Sequence, residues 1–174
     1  MKVKKLKIRG VFLVDLIKNK DQRGFFSRLF CKKNFSKILK NNKISQINFC
    51  NTHIKGCVRG LHYQSGGFSE TKRIIILKGK IFDVIVDTRK NSKTYNMIEN
   101  IKLSDKKLQM LIVPKGVAHG YQSLSNETCV MYINDNFYNK KYEKGINYKD
   151  PKYNISWPLK IKMISNKDKK IKYL

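Results

Sequence analysis

Acidic side chains are scarce in this chain of 174 residues: 12 Asp and Glu stand against 38 Lys and Arg. Long apolar runs are missing too. Near the N-terminus Val11-Phe12-Leu13-Val14 is cut by Asp15, far short of the roughly 20 apolar residues that a membrane-spanning helix needs. No apolar leader with a small-residue cleavage site follows Met1, so the expected setting is the cytoplasm. The chain also lacks a CxxC pair or a His at metal-ligand spacing beside Cys31, Cys50, Cys57 or Cys129. The four cysteines therefore read as reduced thiols packed as small hydrophobes, although Cys50 and Cys57 are close enough in sequence to bridge a hairpin. With no repeat, linker or low-complexity boundary, residues 1–174 are expected to form one domain.

What is present is positive charge, a formal +26 with a sequence pI near 10.0. A field of that sign attracts phosphate-bearing partners. Only six of the basic residues are arginine: Arg9, Arg23, Arg28, Arg59, Arg73 and Arg89. The lysines are spread along the chain among Asn and Ile, a pattern of solvated faces rather than of a nucleic-acid-binding stripe. A basic nucleic-acid-binding module remains an alternative, without a recognised basic-aromatic motif to carry it.

A hydrophobic content of 41% and an aromatic content of 11% suffice for a core, and exclude a fibrous or collagenous chain. Short runs rich in Ile, Val, Phe and Tyr predict about ten strands, over residues 11–17, 25–30, 44–49, 58–63, 73–77, 81–86, 97–103, 109–113, 117–124 and 129–137. Their spacing points to an all-β sandwich or barrel. Lys78-Gly79 reads as a tight hairpin and Asn91-Ser92-Lys93 as a further turn. One short helix is expected over 34–40, where Phe35, Ile38 and Leu39 share a face. The mostly charged stretch 166–172 is expected to wrap the surface.

Several polar groups fall where packing alone would not put them: Arg59 and His62 in Arg59-Gly-Leu-His62, Lys72, Asp83 between Phe82 and Val84, His119, Tyr132 and Tyr138. Strand alternation predicts His62 and Gln64 on one face with Gly60, and Arg59 and Leu61 on the other, unless a bulge intervenes. Asp83 reads as a buried carboxylate paired to Arg59 or Lys72. One such residue is ordinarily a satisfied core group, but the set of His, Lys, Arg, Asp and Tyr suggests a site.

The phrases around these residues carry a resemblance. Asp21-Gln-Arg-Gly-Phe-Phe26, Gln46-Ile-Asn48, Gly56-Cys-Val-Arg-Gly-Leu-His-Tyr-Gln64, Phe82-Asp-Val-Ile-Val-Asp-Thr-Arg89, Pro114-Lys-Gly-Val-Ala-His-Gly120, Glu143-Lys-Gly-Ile146 and Ile155-Ser-Trp-Pro158 follow one another along nearly the whole chain. Together they resemble the nucleotide-sugar 3,5-epimerases of the cupin-like jelly-roll class. The resemblance implies a jelly-roll sandwich with one or two short helices, and cofactor-free, metal-free epimerisation of a nucleoside-diphosphate 4-keto-6-deoxy sugar in surface polysaccharide biosynthesis. It also implies a homodimer. His62 would be the base, Asp168 the carboxylate orienting it, Lys72 the cation at the enolate oxygen and Tyr132 the acid. Arg59, Arg23 and Lys167 would clamp the diphosphate. Gln46 and Asn48 would hold the nucleoside or sugar, and His119, Tyr138 and Glu143 would line the pocket.

Two positions depart from the family pattern. Arg28 stands where the family has a glutamate. A carboxylate accepts the thymine ring N–H whereas Arg only donates, so Arg28 suggests a base with an acceptor edge such as guanine, and a GDP-linked hexose or heptose as substrate. Ile133-Asn134-Asp135 replaces the family's usual Lys-Cys-Thr type, which bears on whether carbon 3, carbon 5 or both are inverted. The alternatives are a metal-dependent cupin, which wants a His-x-His pair where this chain has His62-Tyr-Gln64, and a sugar 3,4-ketoisomerase.

Overall fold

The computed structural model describes residues 1–39 and 43–173. Its strands are β1 (Lys2–Lys5), β2 (Phe12–Asp15), β3 (Asn19–Asp21), β4 (Gly24–Phe26), β5 (Gln46–Thr52), β6 (Cys57–Gln64) and β7 (Lys72–Lys78). They continue as β8 (Lys80–Asp87), β9 (Ile98–Ser104), β10 (Gln109–Val113), β11 (Val117–Ser123), β12 (Thr128–Asn134), β13 (Glu143–Gly145) and β14 (Met163–Ile164). Two four-residue helices, α1 (Lys32–Phe35) and α2 (Asn166–Lys169), complete the set.

One sheet has the order β1-β2-β10-β7-β12-β5, the other β13-β6-β11-β8-β9 with β14 added parallel to β6. Alternation gives each sheet two apolar faces. The inner faces meet in one cluster, Ile74, Ile76, Leu111 and Val130 from the first sheet against Ile81, Ile85, Leu103 and Val117 from the second, all but fully buried. On the outer face of the first sheet Ile75, Met110, Ile112 and Ile133 pack under Phe35, with Ile38 and Leu39 beside it. The outer face of the second, Val84, Val86 and Ala118, is covered by Ile146, Tyr153 and Trp157. Each side chain the size of Ile or Leu buried in this way contributes about 1.5–3 kcal/mol against unfolded chain.

Several sequence expectations change. The 25–30 run forms a strand only at Gly24–Phe26, paired with β3 in a separate hairpin, and the 129–137 run ends at Asn134. The helix expected over 34–40 begins earlier and ends at Phe35, although its apolar face packs as read; Lys40 lies outside the described residues. Lys78-Gly79 is not a hairpin turn, because β7 and β8 belong to different sheets. Gly79 adopts φ +86 with its N–H donated to Asp105 Oδ2 at 2.8 Å, and a Cβ there would meet Ser125 Oγ. The residue thus steps the chain from one layer to the next. Of the four free thiols only Cys57 is buried, the others being half-buried.

Candidate active site

Beside the apolar cluster the two inner faces turn polar, around a cavity of about 380 Å³. β6 supplies Arg59, His62 and Gln64; the facing sheet supplies Lys72 from β7, Tyr132 and Asn134 from β12, and Gln46 and Asn48 from β5. His119 of β11, Tyr138 and Glu143 close it. A second space of about 710 Å³ shares Arg59, His62 and Tyr132 with the first and continues to residues 165–168.

Arg59 and His62 open onto the same cavity, against simple alternation, while Leu61 between them packs into the outer cluster. The cause is the bulge that the sequence left open: the β6–β11 ladder shifts register between His119 and Tyr121. Glycine is required on the β6 side of it. Gly60 has φ +99, and a Cβ would lie 2.7 Å from the His119 carbonyl oxygen.

His62 Nε2 is 2.6 Å from Asp168 Oδ1. A carboxylate only accepts, so in the neutral imidazole Nε2 carries the proton and Nδ1 the lone pair. Asp168 is fixed in turn: its Oδ2 accepts the Gly60 N–H at 3.1 Å, and its own N–H is donated to Ser165 Oγ, the cap of α2. Burial works to raise the Asp168 carboxyl, but the bonds from His62, Gly60 and Ser165 outweigh it and hold the group below its usual range. The second pair, His119 Nε2 to Asp83 Oδ2 at 2.7 Å, lies deeper, with side-chain exposures of 4% and 0% against 26% for His62. Asp83 is therefore paired to His119 rather than to Arg59 or Lys72, because the β8–β11 ladder sets Asp83 beside residues 119–121.

Lys72 Nζ donates to the His62 carbonyl oxygen at 3.1 Å, and burial lowers its pKa. Burial likewise raises the Tyr132 hydroxyl well above the ordinary tyrosine value, so it keeps its proton. Glu143 accepts from Tyr138 Oη at 2.9 Å and from Lys167 Nζ at 2.7 Å, with its Oε1 3.9 Å from His62 Nδ1. Arg59 is braced by Thr52 Oγ1 at 3.0 Å and the Asn51 carbonyl oxygen at 3.2 Å. Among the described residues no group of three or more His, Cys, Asp and Glu is arranged to hold a metal ion.

A sequence profile of the family described as dTDP-4-dehydrorhamnose 3,5-epimerase matches residues 5–174. The chain belongs to that family. It is 36% identical over 169 residues to the dTDP-4-dehydrorhamnose 3,5-epimerase of Shigella flexneri, covering 97% of this chain and 93% of that one. To the enzyme of the same name from Methanothermobacter thermautotrophicus it is 34% identical, covering 98% and 92%. The crystal structure of the Bacillus anthracis dTDP-4-dehydrorhamnose 3,5-epimerase, with TDP and PPi bound, superposes with a TM-score of 0.96 at 34% identity, covering 99% of each chain. The two-sheet sandwich is thus the cupin-like jelly roll of the epimerase family, and the chain is an isomerase.

Of the site residues expected of a family member, the fold gathers His62, Asp168, Lys72, Tyr132, Arg59, Gln46, Asn48, His119, Tyr138, Glu143 and Lys167 around the two joined spaces. Arg23 and Arg28 are not brought there. Arg23 is 90% exposed in the turn between β3 and β4, paired to Asp21 at 2.7 Å, and Arg28 lines a separate depression with Cys31 and Phe35. Arg23 lies within the β3–β4 hairpin and Arg28 just after it, and that hairpin pairs with neither large sheet. Gln46 is partly committed, its Oε1 accepting the Tyr138 N–H at 3.0 Å. Sequence reading missed Glu70 and Tyr63, which also line the cavity, as does Asn134 of the departing stretch Ile133-Asn134-Asp135. For Glu70 the available signal was its position two residues before Lys72, the spacing that repeats a strand face.

Proposed function

We propose that this protein epimerises a nucleoside-diphosphate 4-keto-6-deoxy sugar at carbon 3, carbon 5 or both, without cofactor or metal, as one domain spanning 1–174. The observation that carries the reading is that an imidazole and a phenol enter one cavity from opposite sheets, His62 from β6 and Tyr132 from β12. Inversion beside a ketone needs that layout: a base takes the proton from one face of the ring and an acid returns one to the other.

His62 Nδ1 acts as the base, with Asp168 holding the ring and stabilising the imidazolium that forms. Lys72 stands at the keto oxygen, where negative charge develops in the enolate. Tyr132 Oη, protonated at working pH, returns the proton, and the phenolate recovers it from solvent. Arg59 and Lys167 bind the diphosphate, the guanidinium by paired hydrogen bonds, while Gln46, Asn48, His119, Tyr138 and Glu143 shape the pocket. Four free thiols agree with work in the reducing cytoplasm.

A homodimer is part of the proposal. Phe25 and Phe26 on the hairpin and Ile47 and Phe49 on the edge strand β5 are 54–65% exposed, an apolar surface that a second copy would cover. Arg28 bears on the choice of nucleotide only if such a copy carries it to the neighbouring cavity.

The test is solvent-deuterium incorporation, read by mass spectrometry and NMR, with dTDP- and GDP-linked 4-keto-6-deoxy sugars. Label at carbons 3 and 5 that disappears in His62→Asn supports the reading, and label at one carbon makes this a single-centre enzyme. Absence of exchange with every donor would overturn it. Competition between dTDP and GDP, repeated with Arg28→Glu, reads the nucleotide: tighter GDP that weakens in the variant assigns guanine recognition to Arg28, and tighter dTDP in both removes that role.

A further inference from the structure

Glu70 lies two residues ahead of Lys72 and faces the same cavity. It is 8% exposed. Its Oε1 is 3.5 Å from Lys72 Nζ, and its Oε2 accepts from Asn134 Nδ2 at 2.9 Å. An ammonium has three N–H donors; the His62 carbonyl oxygen takes one at 3.1 Å, and Glu70 Oε1 lies at ion-pair distance, 3.5 Å. That leaves donor capacity facing the cavity.

The groups around this ion pair are His62 on β6, Asp83 on β8, His119 on β11, Tyr132 on β12 and Glu143 on β13, with Asp135 beyond β12 on the Glu70 side. Most are committed elsewhere. Asp83 is bound by His119, Glu143 by Lys167 and Tyr138, and Asp135 Oδ1 accepts the Thr71 N–H at 2.7 Å. Glu70 is the carboxylate within ion-pair distance of Lys72 among the described residues.

We infer that Glu70 is a positioning residue for Lys72: its carboxylate keeps the buried amine cationic and, together with the His62 carbonyl oxygen, orients it so that an N–H points at the substrate's keto oxygen. The inference rests on the role proposed above for Lys72. Burial alone drives a lysine towards its neutral form, and a neutral amine would lose the charge that stabilises an enolate. Asn134 serves the same end one step further out, by holding the carboxylate from β12.

The experiment uses the full chain as wild type, Glu70→Gln and Glu70→Asp. The glutamine keeps the shape and can accept from Asn134, but removes the charge. Two readouts are taken: the pH profile of kcat with the keto sugars, and the pH at which Lys72 becomes reactive to trace acetic anhydride, measured by peptide mass spectrometry. In Glu70→Gln the alkaline limb of kcat and the Lys72 labelling curve should both move about one pH unit lower, with kcat at the old limb reduced about tenfold and KM nearly unchanged; Glu70→Asp should recover part of both. A Glu70→Gln protein whose labelling curve and alkaline limb match wild type would overturn the inference. So would a wild-type Lys72 that is already neutral below pH 7, a result that needs no variant to fold. Wild-type enzyme that neither turns over nor exchanges would refute the epimerase reading, while the labelling curves would still decide whether Glu70 sets the charge on Lys72.

Discussion

Two histidine–aspartate pairs of nearly equal length, 2.6 and 2.7 Å, sit in this molecule, and their surroundings divide the labour between them. His62 turns its Nδ1 to the cavity, 3.9 Å from Glu143 Oε1; His119 is sealed against Asp83, whose other oxygen has no hydrogen-bond partner among the described residues. His62→Asn is expected to lose about 10²–10⁴-fold in kcat, while the urea midpoint stays near wild type because the asparagine amide can still donate to the buried Asp168. His119→Ala should do the reverse to the fold, leaving a buried carboxylate unpaired at a cost of about 3–5 kcal/mol, read from the same urea curves. A third carboxylate gives a pH prediction. Burial works to raise Asp87, but bonds from Arg89, Ser92 and Thr94 outweigh it and bring the group from the usual 3.8 to about 2. A depressed carboxylate stabilises the fold above its unfolded pKa and loses that contribution as pH falls through the folded value. Asp87→Asn should thus cost about 2 kcal/mol at pH 7, the gap from wild type closing between pH 4 and pH 2.

At the scale of the element, the bulge in β6 decides whether the site exists. Gly60→Ala would set a Cβ against the His119 carbonyl at a backbone angle that side chains avoid, so it should lower both stability and kcat, the latter with Arg59 and His62 displaced together; thermal melts and the deuterium assay measure the two. Ending the chain at Ile164 removes α2, and with it Asp168 and Lys167, and should abolish exchange. The sequence made the core strands plain, because Ile74 to Leu77 is an apolar run and Ile81 to Val86 is apolar but for Asp83, with Gly79 between them. It concealed β1, where Val3 is the one apolar residue among lysines and pairing with β2 makes the strand. It concealed β13 and β14 as well, three and two residues long and strands only by their ladders to β6. In the site, His62 was legible through its phrase, and Lys72, Tyr132 and Asp168 only through the resemblance to the family. The pairing of Asp83 with His119 was not, since it depends on which strands become neighbours across 36 residues, and Glu70 was hidden because one acidic residue in a polar loop reads as solvated.

Over the whole molecule the net charge of +26 has a kinetic consequence. A substrate carrying a diphosphate is drawn through a field that salt screens over about 10 Å at 0.1 M, so kcat/KM should fall as ionic strength rises while kcat holds, a comparison made with potassium chloride from low to high concentration. Sedimentation equilibrium should find two copies per particle, and Phe49→Lys on the exposed edge should shift it towards one. Beyond charge and assembly, the proposed base, His62, belongs to one sheet and the proposed acid, Tyr132, to the other, and the spacing between sheets is set by Ile74, Ile76 and Val130 meeting Ile81 and Ile85. That apolar cluster is the caliper of the reaction. Thinning it, as Ile76→Ala would, skews Tyr132, which packs against it, relative to His62 on the facing sheet, and the effect would surface as a changed ratio of products inverted at one carbon and at two.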